Sequence, residues 1–143
     1  MTFKLSTGLA AAAIALGLCS AASALAAPMP INVKDDAGKA MMGDPVKGAE
    51  IFKRCMVCHS IKAGENRIGP SLHGVVGRPA GSVPKFSYSS ANKKSGIIWT
   101  AQEIFTYLKN PQKLVPGTKM SFPGIPNPQE RADVIAYLEE NSK

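Results

Sequence analysis

Cys55-Met56-Val57-Cys58-His59 puts two thiols and an imidazole within five residues. On a helix end, positions 55, 58 and 59 stand at i, i+3 and i+4 and project to one side. Two thiols so placed can add to the two vinyl groups of a haem while the imidazole reaches its iron. C-x-x-C-H therefore reads as a c-type haem attachment site. Other uses fit less well. A redox C-x-x-C favours a strand–helix context, which the flanking sequence lacks. A zinc site needs two further ligands, and only His59 and His73 are on offer. A disulfide between residues three apart is strained.

An iron held by His59 on one side raises the question of its other axial ligand. Met29, Met41 and Met42 lie in or beside an N-terminal tail, and Met56 sits inside the motif. Met120 is different. It lies in Pro116-Gly117-Thr118-Lys119-Met120-Ser121-Phe122-Pro123-Gly124, a loop fixed by proline and glycine at both ends. Such a loop can hold a thioether at a defined height, a recognised axial ligation for a haem. His73 is too close in the chain to the proximal ligand to cross the haem plane, and reads as structural. Tyr88 and Trp99 need hydrogen-bond acceptors if buried. Haem propionates, with Arg78 offsetting their charge, would serve; so would backbone carbonyls.

These residues need elements to position them. Asp44 and Pro45 suit the cap and first position of a helix that runs to about Cys55, with Gly48 and Phe52 on one face. Residues 60–98 are rich in Gly, Pro, Ser, Asn and Lys and show no sustained period. One short helix is predicted within 87–96, ending at Gly96. So long a loop stretch fits a compact domain when something other than side chains fills the core. Thr100 with Glu103 opens a second helix, Thr100–Asn110, whose face carries Ile104, Tyr107 and Leu108 and which Pro111 ends. Asn127 with Glu130 opens a third, Pro128–Asn141, with Val134, Tyr137 and Leu138 as its stripe. No strand signal and no repeat is seen. The class is all-α: three main helices, short helices and long loops around one covalently bound haem.

The chain has 143 residues and a formal net charge of +7. Residues 1–26 have the layout of a secretory signal: Lys4, the apolar run 9–18, then Ala24-Leu25-Ala26. Cleavage after Ala26 is expected. Leu18 is too bulky for Cys19 to be a lipid site. The run 9–27, mostly alanine with Ser20 and Ser23, is a weak membrane span but a conceivable anchor. Residues 27–42 show no apolar period and read as a flexible tail, leaving 43–143 as the domain. Export leaves an acidic protein partner as the natural counterpart of the basic charge, and excludes nucleic acid.

The segments GDPVKGAEIFKRCMVCHS, RIGPSLHGVVGR, FSYSSANKKSGIIW, YLKNPQKLVPGTKM and DVIAYLE occur in the order seen in class I cytochromes c. Over residues 43–141 the chain resembles the group of mitochondrial cytochrome c and bacterial cytochrome c2. The resemblance implies thioethers at Cys55 and Cys58, with His59 and Met120 as iron ligands. It implies that the Pro70 carbonyl accepts the other ring N–H of His59. Tyr88, Trp99 and Arg78 would surround the propionates. Tyr107 and Asn92 would join a network near Met120, with Thr118 beside it. Gly48 and Phe52 would cross the last helix at Val134 and Tyr137.

The expected function is one-electron transfer in the periplasm, by a monomer with no small-molecule substrate. Lys53, Lys85, Lys109, Lys113 and Lys119 flank segments that should rim the haem; they would steer acidic redox proteins or membrane redox complexes, or simply be solvated surface. A quinol-oxidising complex fits as donor. A terminal oxidase, photosynthetic reaction centre or periplasmic reductase fits as acceptor. Two rivals differ in class: a peroxidase-type haem protein, which needs a vacant sixth site, and a membrane-anchored subunit of a respiratory complex.

Overall fold

The computed structural model describes residues 27–142. The expected signal segment lies outside the described residues. Five helices and one hairpin follow in order: β1 Met29–Lys34, β2 Ala40–Gly43, α1 Pro45–Met56, α2 Ser90–Lys94, α3 Ala101–Lys109, α4 Pro111–Leu114 and α5 Pro128–Asn141.

Each main helix starts where a side-chain oxygen meets its free amides. Asp44 accepts from the amides of Val46 and Lys47 at 3.0 and 3.2 Å. Thr100 Oγ1 accepts from Glu103 N at 3.1 Å. Asn127 Oδ1 accepts from Gln129 N at 2.8 Å. Pro111 does two jobs: it ends α3 and opens the short α4, which Asn110 caps from Lys113 N at 3.0 Å. Sequence reading saw only the first.

The frame is α1 crossed on α5. A Cβ on Gly48 would overlap the Asp133 carbonyl and crowd Tyr137, so only glycine lets the two backbones approach this closely. Phe52, 2 % exposed, packs its ring 5.0 Å from that of Tyr137. The α5 stripe is wider than predicted. Arg131 to Ala136 are all buried, because α1, α3 and the hairpin cover α5 on different sides.

Residues 27–42 are not a tail. β1 and β2 pair antiparallel, with Met29 opposite Gly43 and Lys34 opposite Ala40. Ile31 and Val33 point into the core, while Pro30, Asn32 and Lys34 face out. That alternation is only a few residues long and Pro30 interrupts it, so it was invisible as a pattern. The turn is local chemistry: Asp35 Oδ1 accepts from Ala37 N and Lys39 N, both at 2.9 Å, and Gly38 takes φ 80°. The long loop 60–98 is closed by backbone bonds rather than by an element. Trp99 N donates to the Arg78 carbonyl at 2.9 Å and Gly77 N to the Trp99 carbonyl at 2.8 Å. These bonds hold Trp99 and Arg78 side by side.

Candidate haem site

Between α1, the loops and α3 lies a largely apolar cavity of about 440 Å³, in the range that takes a cofactor-sized ligand. The last turn of α1 and the turn that follows it deliver Cys55, Cys58 and His59 to its wall. Both thiols are free and half-buried. Burial pushes the Cys55 thiol up to about 11, so it is held neutral. Among the described residues no group of three His, Cys, Asp or Glu gathers to hold a metal ion, which leaves the zinc alternative without ligands.

The imidazole is oriented. His59 Nδ1 lies 2.7 Å from the Pro70 carbonyl oxygen. A carbonyl only accepts, so Nδ1 carries the proton and Nε2 keeps its lone pair for a metal. Burial, the larger influence, lowers the pKa of His59, and the bond to Pro70 partly offsets it. Burial favours the neutral ring, and the bond to Pro70 selects its Nδ1–H tautomer. Gly69 is the residue that sequence reasoning missed here. A Cβ there would overlap the His59 ring. The Gly-Pro pair before the loop was the available signal.

The Met120 thioether, on the wall of the same cavity, is held from several directions. Tyr107 Oη donates to Met120 Sδ at 3.4 Å and lies 3.3 Å from Thr118 Oγ1. Thr118 Oγ1 also accepts from Met120 N at 3.3 Å. Gln112 Nε2 donates to the Met120 carbonyl at 3.0 Å; this tie from α4 was also missed, since α4 itself was not foreseen. Burial raises the pKa of Tyr107, so its hydroxyl remains a donor.

Tyr88, Trp99, Arg78 and Asn92 line the same cavity. Arg78 gives two donors to the loop, to the His73 carbonyl at 2.5 Å and the Ser71 carbonyl at 2.9 Å. Its burial lowers its pKa, an effect that a bound anion would oppose. His73 serves here through its carbonyl, and its ring is not part of the cavity wall. Asn92 Oδ1 is buried with no hydrogen-bond partner among the described residues. An unpartnered amide oxygen and a partly buried guanidinium lining one cavity fit a ligand with polar substituents on an otherwise apolar body. Together with two free thiols and a free imidazole nitrogen, they suit a haem.

The five lysines do not form one set. All are exposed. Lys119 reaches the cavity wall and donates to the Ser87 carbonyl at 3.2 Å. Lys53 pairs with Glu50 at 2.6 Å. Lys85 takes φ 60°, a left-handed turn position, and Lys113 lies in the last turn of α4. Lys109 departs from the expected rim: it turns to Asp36 on the hairpin, 2.5 Å away.

The family model that matches this chain is "Cytochrome c", over residues 45–142. A cytochrome c2 of Rhodopila globiformis is 56 % identical over 103 residues, which are 71 % of this chain and 97 % of that protein. A cytochrome c of Arabidopsis thaliana is 53 % identical over 105 residues, 72 % of this chain and 94 % of that one. Among solved structures, cytochrome cH from Methylobacterium extorquens superposes with a TM-score of 0.66 at 43 % identity, covering 68 % of this chain and 99 % of that one. With an attachment motif on α1, an oriented histidine and a cavity of matching chemistry, this chain belongs to the cytochrome c family, electron carriers rather than enzymes, which hold one covalently bound haem c.

Proposed function

We propose that the chain is a diffusing periplasmic carrier that takes single electrons from a quinol-oxidising complex to a terminal oxidase, reaction centre or reductase, with His59 and Met120 as axial ligands. The observation that carries this reading is that His59 Nε2 and Met120 Sδ, from distant parts of the chain, are both oriented toward one cavity by their own hydrogen bonds. When bound, the haem iron supplies a one-electron couple between Fe(II) and Fe(III). Everything else falls to the chain. Cys55 and Cys58 tether the group, Pro70 keeps the proton on Nδ1, and Tyr107 orients the thioether. Apolar walls from Phe52, Leu72 and Val134 exclude water and disfavour the extra positive charge of the oxidised state, which raises the reduction potential. Arg78, Tyr88 and Trp99 receive the propionates.

Val57 and Ile68, at 72 % and 79 % exposure, are large apolar residues on the margin of the cavity that Lys119 also lines. An apolar spot with cations around it suits brief docking to an acidic partner, in which steering raises the association rate. With His59 and Met120 both holding the iron, no position would be left for a substrate, and peroxidase chemistry would be at most a leak. Among the described residues no helix is long and apolar enough to cross a membrane. Purified Met120→Ala tests the reading: it should lose the far-red thioether-to-ferric charge-transfer band and turn high-spin while keeping its helical circular dichroism. A high-spin spectrum in the unaltered protein sinks it.

A further inference from the structure

The hairpin precedes the span that the family model matches, which begins at residue 45. Its attachments fall into two sets. β2 is fixed to α5: Gln129 Nε2 donates to the Met42 carbonyl at 2.8 Å, and just after the strand Asp44 N donates to Asp133 Oδ1 at 2.9 Å. β1 and the turn are fixed to α3. Lys34 N donates to Gln102 Oε1 at 2.8 Å, Gln102 Nε2 donates back to the Lys34 carbonyl at 3.2 Å, and Asp36 pairs with Lys109 at 2.5 Å. Gln102 and Lys109 are seven residues apart, hence nearly in line along one face of α3. Ile104, Tyr107 and Leu108 occupy the opposite face and line the cavity. α3 is therefore held between the hairpin behind it and the cavity in front. Its front face carries the hydroxyl that touches Met120.

We propose that the hairpin positions the distal ligand: by clamping the back of α3 it keeps Tyr107, and through it the Met120 loop, against the cavity. The proposal rests on the reading of Met120 as an iron ligand. A nine-residue helix has little stability of its own and depends on what covers its faces. The Asp36–Lys109 pair is exposed and contributes little. The reciprocal amide pair at Gln102 and the burial of Ile31 and Val33, at 7 % and 3 % exposure, are the effective parts. Segments open locally at free energies well below that of global unfolding. Opening of α3 and α4 withdraws Met120 and must break these contacts, so loosening the clamp raises the open population without altering any group in the site.

The experiment uses the full-length protein with its haem attached, and the variants Gln102→Ala and Val33→Ala. Imidazole is titrated into the ferric form; it takes the iron only after Met120 leaves, so its apparent affinity scales with the open fraction. Binding should tighten about threefold in Gln102→Ala and about tenfold in Val33→Ala. The far-red band should also vanish at lower denaturant than helical circular dichroism, by a wider gap than in the unaltered protein. Gln102 is only half-buried, so its variant remains informative if Val33→Ala folds poorly. Unchanged imidazole affinity, with or without a fall in global stability, overturns the clamp. A missing far-red band in the unaltered protein overturns the ligand reading itself, which Met120→Ala reports separately.

Discussion

His59 enters the cavity from the end of α1, four residues from Cys55, and its ring is fixed by a loop that starts only ten residues later. Met120 enters from a loop beyond α4, and its thioether is reached by Tyr107 on α3 while its backbone is tied to Gln112 on α4. The first wall is built by near neighbours in the chain with close steric limits. The second is assembled from hydrogen bonds between separate elements, each modest. The difference teaches where the molecule should yield: by one large step at the histidine wall, and by graded loosening at the methionine wall.

The sharpest way to break this contrast is Gly69→Val. The added side chain overlaps the His59 ring, and relief must sacrifice the bond to Pro70. A loss of about 3–5 kcal/mol is expected from overpacking and the broken bond together, measured by denaturant unfolding of the holoprotein. A loss below about 1 kcal/mol would show that the histidine wall is as compliant as the other. Tyr107→Phe probes the methionine wall. It deletes one hydroxyl that serves both Met120 and Thr118, and should cost about 1 kcal/mol. The far-red band should melt earlier than the helices; simultaneous melting would mean that this wall has no local freedom.

On the exposed surface, the Lys53→Glu, Lys113→Glu double variant should slow electron transfer to an acidic partner roughly tenfold at low salt and hardly at all at high salt. Stopped-flow mixing across a salt series reads both; an unchanged salt slope would remove these lysines from the docking surface. The smallest effect lies behind the methionine wall. The bond to Lys109 holds the Asp36 carboxyl below its ordinary value of 3.8. Its contribution is therefore complete above that value and is lost as pH falls through the lowered one. Carboxyl shifts in an NMR titration should show this, and Lys109→Ala should return Asp36 upward.

What the sequence disclosed followed from short-range rules. Asp44, Thr100 and Asn127 announce their helices because a cap acts within three residues. Cys55, Cys58 and His59 announce the cofactor for the same reason. The place of Met120 on the cavity wall was legible through the prolines and glycines around it. Gly69 was not, because its importance lies in the ring stacked on it rather than in its own loop. The hairpin was hidden because two buried side chains, Ile31 and Val33, are too few to set a period. Arg131 runs against the usual preference of charge for the surface. It is 1 % exposed, donates to the Ile125 and Pro126 carbonyls at 2.8 and 2.9 Å, and lies 4.2 Å from the Phe105 ring centroid. No local pattern signals that those carbonyls would come to meet it.

The enclosure of α5 has a consequence for the order in which the molecule is made. Synthesis runs from the N-terminus, so α1 and the thiols of Cys55 and Cys58 exist before the 14 residues of α5. Until those residues arrive, Gly48 and Phe52 have nothing to cross, and the end of α1 has no lasting shape. Cys55 and Cys58 thus pass through an interval in which they stand open to whatever joins them to a haem. The arrival of the last helix closes that interval and seals the product inside.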